Sequence, residues 1–219
     1  METTDRKSRC AFAVLAAAFL ALVVWAGAAP EAHSRPQGKP PQAKKSPTVL
    51  IKPSKTARIL VVGDSLEVGT GPHLLRHYGS KLEVYARRGR PSSGGLQVLR
   101  ERLRKRHQIV VFDQGSNDTR VAGSTEAARR TLAHNMRAAR RLIGPKRCMV
   151  IATLNPNRRA PLNEVIRRVA RSPNVVMLDW NRTINRHPEL LIDNVHSSRF
   201  GYKVRAKQMI KAIKRCPNR

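Results

Sequence analysis

Acidic and aromatic side chains are scarce in this sequence. Only 14 Asp and Glu stand against 43 Lys and Arg over 219 residues, a formal charge of +29. The surface must therefore carry a broad positive field, which attracts nucleic acid, anionic lipid or anionic cell-wall polymer. Aromatics make up 4% of the chain. The arginine runs (Arg100 to Arg106, Arg129 to Arg147, Arg167 to Arg171) thus have little beside them on which bases could stack. They read as the polar faces of amphipathic helices, which argues against a specific nucleic-acid groove. No internal repeat is visible, and the length suits one domain plus a tail. His73 and His77 stand at i, i+4 with no third ligand at matching spacing, so no metal site is expected. Cysteines number three.

The N-terminus narrows the setting. Arg6, Lys7 and Arg9 precede an almost continuous apolar run, Ala11 to Ala29, and Ala26-Gly27-Ala28 offers a cleavage site. Residues 1–29 read as a secretory signal peptide, or as an uncleaved anchor given the length of the run. Either outcome places the rest outside the cytoplasm, secreted or held at the cell envelope. Cys10 falls in this segment, which leaves Cys148 and Cys216 as a pair in a disulfide-permissive compartment; a bridge and two buried free thiols both remain open. Residues 30–57 are Pro- and Lys-rich, lack apolar periodicity and predict an extended linker.

Residues 58–219 alternate two patterns. Short apolar, β-branched runs (Arg58–Asp64, Leu82–Ala86, Gln108–Phe112, Cys148–Leu154, Val175–Trp180) suit strands buried on both faces. Between them, stripes such as Ala128, Leu132, Met136, Ala139 and Ile143 predict helices, with Ser124 or Thr125 and Ser197 or Ser198 as candidate caps. The alternation predicts an α/β fold, a three-layer α/β/α sandwich around a five-stranded parallel sheet, with ligands at the carboxyl ends of the strands.

Unusual polar residues fall at those ends. Gly63-Asp64-Ser65-Leu66 follows the first run, Gly89 the second and Gly115-Ser116-Asn117-Asp118 the third; Asp193-Asn194-Val195-His196 precedes the last helix. A serine hydroxyl needs a base to become a nucleophile, and His196, oriented by Asp193, can supply it for Ser65. The backbone N–H groups of Ser65 and Gly89 and the Asn117 amide are candidate oxyanion donors.

Taken in order, these four blocks resemble those of the SGNH/GDSL hydrolases over about Arg58 to Cys216. The resemblance implies a flavodoxin-like sandwich and ester hydrolysis or acyl transfer, with no metal or cofactor. Ser65, Asp193 and His196 would be catalytic. Ser65, Gly89 and Asn117 would form the oxyanion hole, and Gly63, Asp64, Gly115 and Asp118 would support the motifs. Leu178-Asp179-Trp180 and the stretch His187 to Asp193 are similar to the extracytoplasmic SGNH domains that O-acetylate cell-wall sugars. Asn194 and Ser197 depart from the commoner Gly and Pro, and Glu67 sets a carboxylate near the nucleophile that bears on substrate preference. The expected substrate is an acylated carbohydrate or other small ester, with an anionic cell-wall polymer as a further partner. The rivals are an O-acyltransferase served by a separate membrane acyl-donor protein, and a non-catalytic wall-binding module.

Overall fold

The computed structural model describes residues 48–155 and 159–217. The expected signal peptide or anchor, Cys10 and the linker as far as residue 47 lie outside the described residues. Six strands form one sheet: β1 (Val49–Lys52), β2 (Ile59–Gly63), β3 (Leu82–Arg87), β4 (Ile109–Asp113), β5 (Cys148–Ala152) and β6 (Val175–Leu178). Their order is β1-β3-β2-β4-β5-β6. The last five are parallel, as expected, and β1 adds an antiparallel sixth against β3. The sheet therefore has six strands rather than five, and the linker predicted over 30–57 gives way to a strand at Val49. Leu50 packs against the core while Val49 and Ile51 stay exposed, so this four-residue strand has one inward apolar side chain. That is too short an alternation to read among prolines and lysines.

Among the described residues, seven α-helices flank the sheet: α1 (Ser65–Tyr78), α2 (Ser92–Arg102), α3 (Asp118–Ala122), α4 (Thr125–Ile143), α5 (Ala160–Val169), α6 (Trp180–Arg186) and α7 (Arg199–Lys214). Successive strand residues point to opposite faces. Ile59 and Val61 of β2 join one apolar cluster with α1, α6 and α7. Leu60 and Val62 join the other, with α2, α4 and α5. Both faces being covered explains why β2 is buried at all five positions. Trp180 belongs to the core: it is fully buried and opens α6. Ser124 caps α4 and Ser198 caps α7.

Within the parallel set the order β3-β2-β4-β5-β6 reverses direction between β2 and β4. Such a reversal opens a crevice at the carboxyl ends of the diverging strands. Gly63 ends β2 at that point, and Ser65 is the second residue beyond it. A disulfide joins Cys148, at the start of β5, to Cys216 just after α7, which decides between the two states the sequence left open.

Candidate active site

Ser65 is the first residue of α1, where backbone N–H groups have no intrahelical acceptor and the helix dipole is positive. Asp64 caps the helix by accepting from Leu66 N at 2.9 Å. His196 reaches Ser65 from the other end of the chain, with Nε2 3.1 Å from Oγ. Its Nδ1 lies 2.8 Å from Asp193 Oδ2, so Nδ1–H donates to the carboxylate and Nε2 is left to accept from the hydroxyl.

A closed loop fixes this geometry. Leu191 bridges to Ser197, Ile192 N donates to His196 O at 2.9 Å, and Ser198 N donates to Leu190 O at 2.7 Å. Inside it, Asp193 Oδ1 accepts from Val195 N and His196 N at 2.7 and 2.6 Å. Burial pushes the Asp193 carboxyl up, but these hydrogen bonds, with that from the His196 ring, outweigh it and hold it below its ordinary range. Asn155, just past β5, ties the loop to the sheet by donating to Val195 O at 3.3 Å. Gly201 lets α7 pack against the loop, since a Cβ there would overlap the Leu190 carbonyl oxygen.

The oxyanion candidates come from two neighbouring loops. Gly89 sits in a tight turn at φ +70°, a left-handed conformation that favours glycine. Arg90, buried beside it, donates to Gly63 O at 3.0 Å and Tyr85 O at 2.5 Å, pinning the turn to the ends of β2 and β3. Asn117 Nδ2 lies 3.3 Å from Asp64 Oδ2 and 3.2 Å from Arg90 O, against both other loops. These contacts are long, so a substrate oxygen could take over one of the two N–H groups. Asp118 turns away: its carboxylate accepts from Ser92 N and Oγ at 2.7 and 2.5 Å, anchoring the loop to the start of α2. Gly115, at φ +119°, packs between Leu132 and Leu154, and Gly63 underlies the Glu67 side chain.

Glu67 departs from expectation. It is fully buried, and Arg205 Nη1 donates to its Oε1 at 2.5 Å and to Thr70 Oγ1 at 3.0 Å. Arg205 Nη2 pairs with Asp113 at the end of β4. The carboxylate thus belongs to an interior ion cluster beneath α1 and is not exposed to a substrate. Burial works against the Arg205 charge, but Asp113 and Glu67 more than offset it. Burial also raises Glu67, and it pushes Asp64, with help from the Asp113 charge, up to about 7. Arg90, Asn155 and Arg205 carry no motif, and nothing local in the sequence marks them.

Residues 61–204 match the model of the GDSL-like lipase/acylhydrolase family. The chain belongs to that family. It is therefore a serine hydrolase of the SGNH/GDSL kind, which sets aside the non-catalytic reading. A comparison with curated proteins finds no match. Among solved structures, the fold is similar to the C-terminal catalytic domain of peptidoglycan O-acetyltransferase A from Streptococcus pneumoniae. That likeness has TM-score 0.60 at 16% identity and covers 73% of this chain and 93% of that one. A G-D-S-L lipolytic protein from Veillonella parvula has TM-score 0.58 at 15% identity, over 72% of this chain and 98% of that one. The esterase EstA of Pseudoalteromonas sp. has TM-score 0.52 at 16% identity, over 71% and 96%. At these identities the GDSL-like chain shares a fold with them; its own residues must carry the chemistry.

Proposed function

We propose that this chain is an exported esterase that removes an O-acetyl group from a cell-wall or extracellular polysaccharide through an acyl-Ser65 intermediate. The observation that carries the reading is the continuous relay from Asp193 through His196 to Ser65, at 2.8 and 3.1 Å, on the first residue of a helix. Ser65 Oγ attacks the ester carbonyl as His196 Nε2 takes its proton. The Ser65 and Gly89 N–H groups and the Asn117 amide receive the oxyanion. His196 then protonates the departing alcohol, and water, deprotonated by the same nitrogen, releases the acid.

Acyl transfer is the second reading, supported by the likeness to an O-acetyltransferase catalytic domain. A sugar hydroxyl would then take the place of water, and a separate membrane protein would supply the acyl group. The deciding experiment follows acetate from defined acetylated oligosaccharides, with and without an acceptor sugar. Free acetate in both arms supports hydrolysis, and acetylated acceptor supports transfer. Ser65→Ala and His196→Ala should each lower p-nitrophenyl acetate turnover by about three orders of magnitude or more, and Asp193→Asn by less. Wild-type turnover in Ser65→Ala would overturn the assignment.

A further inference from the structure

The edge of the sheet opposite Ser65 is lined by cations. The loops leading into four adjacent strands each supply them: Lys81 before β3, Lys55 and Arg58 before β2, Lys105 and Arg106 before β4, and Lys146 and Arg147 before β5. Because β3, β2, β4 and β5 are neighbours in that order, the loops follow one another in space about 4.8 Å apart. They form two clefts that share Lys105 and Gln108, one of about 730 Å³ and one of about 370 Å³. Among the described residues, no carboxylate lines either cleft. The acid behind them, Glu83, is buried and already accepts from Ser54 N and Arg106.

Cations at this edge have an ordinary use, since helices end here and their last carbonyls attract positive charge. Arg147 serves that purpose, donating to Ile143 O and His107 O. The others do not. Among the described residues, the exposed side chains of Lys55, Arg58, Lys81, Lys105 and Lys146 have no hydrogen-bond or ion-pair partner. Five uncompensated charges along two joined clefts repel one another, and a bound polyanion would relieve that repulsion.

We propose that this edge binds a linear, base-free polymer of phosphate groups, independently of the reaction at Ser65. A row of cations along successive strands suits a linear ligand. Four of the five free cations are lysines, compact point charges that bind phosphate without the planar, two-pronged geometry in which an arginine fork grips an anion. Among the described residues no Phe, Tyr or Trp lines either cleft, and His107, which borders the smaller one, is fully buried against Glu83, so bases would find nothing to stack on. The edge lies a strand's length, about 16 Å, from the nucleophile, so a polymer held there leaves Ser65 free.

The test compares two variants of equal net charge. One carries Lys→Gln at 55, 81, 105 and 146; the control carries Arg137→Gln, Arg168→Gln, Lys203→Gln and Lys211→Gln on exposed helix faces. Affinity for fluorescent linear inorganic polyphosphate is measured across a salt series, beside single-stranded DNA and polygalacturonate of matched charge. The edge variant should bind polyphosphate at least tenfold more weakly, with the log–log salt slope reduced by about 3. The control should stay within about twofold of wild type. Equal losses in both variants, or none in either, would overturn the site, and tighter binding of DNA or polygalacturonate would overturn the choice of ligand. Unchanged p-nitrophenyl acetate turnover in the edge variant shows that it folds and keeps the outcome separate from the esterase reading.

Discussion

Asp64 joins the helix that carries Ser65 to the loop that carries Asn117, and it does so from a fully buried position. Burial and the Asp113 charge lift its carboxyl from 3.8 to about 7, so the folded state holds the proton more tightly than the unfolded chain. Its contribution to stability is therefore complete below about pH 4 and lost as the pH rises through about 7, by up to about 4 kcal/mol. Asp64→Asn keeps an acceptor for Leu66 N–H but cannot ionise. Melting curves of the two proteins should therefore diverge between pH 5 and 8, the wild type losing ground; parallel curves would show that Asp64 titrates normally. Arg205 sets a second test. Arg205→Met keeps much of the bulk but leaves Asp113 and Glu67 without their cation, and should cost about 3–5 kcal/mol in urea unfolding. The hydrogen-bonded set of Ser65, His196 and Asp193 was legible because each member sits in a short block at a strand end or before a helix. The Arg205–Glu67 pair was not: its members stand 138 positions apart, and Arg205 looks like any other arginine on a basic helix.

The strands β2 to β6 were readable as apolar runs because both sheet faces are covered, whereas β1 was hidden by its shortness. That difference has a measurable result. A chain beginning at Thr56 loses the β1–β3 ladder and the packing of Leu50, a loss of about 2 kcal/mol from the apolar contact alone. It should melt several degrees below a chain beginning at residue 44. The loop that carries Asp193 and His196 depends in turn on its helix. Gly201→Ala would press on Leu190 and shift the imidazole, so turnover should fall on the order of 10²-fold, with Ser65 still labelled slowly by a phosphonate. The Cys148–Cys216 bridge fastens the far end of the same helix across a sequence separation of 68. Loop-closure entropy assigns it about 4 kcal/mol, and reduction should lower the denaturation midpoint accordingly.

For the molecule as a whole, the sequence reveals how few acids there are but not where they go. Of the eleven Asp and Glu among the described residues, five are buried: Asp64, Glu67, Glu83, Asp113 and Asp118. Nearly half of the scarce acidic groups thus lie inside, and the outer surface is more positive than composition implies. Self-repulsion on this scale destabilises the compact state. The melting temperature should therefore rise as NaCl goes from ~0.01 to ~0.3 M, where the screening length falls from about 30 Å to below about 8 Å. Hydrolysis of a small neutral ester should hardly change over the same range. The antiparallel β1 adds an asymmetry of attachment. Val49 pairs with Arg87, and Thr48 O accepts from Arg88 N. A tether joined at Thr48 therefore leaves beside Gly89, on the catalytic edge, whereas one joined at Pro217 leaves from the smaller basic cleft. Fixed to a solid support by its N-terminal side, the protein would turn its cations outward and its serine toward the support; fixed by its C-terminal side, it would do the reverse.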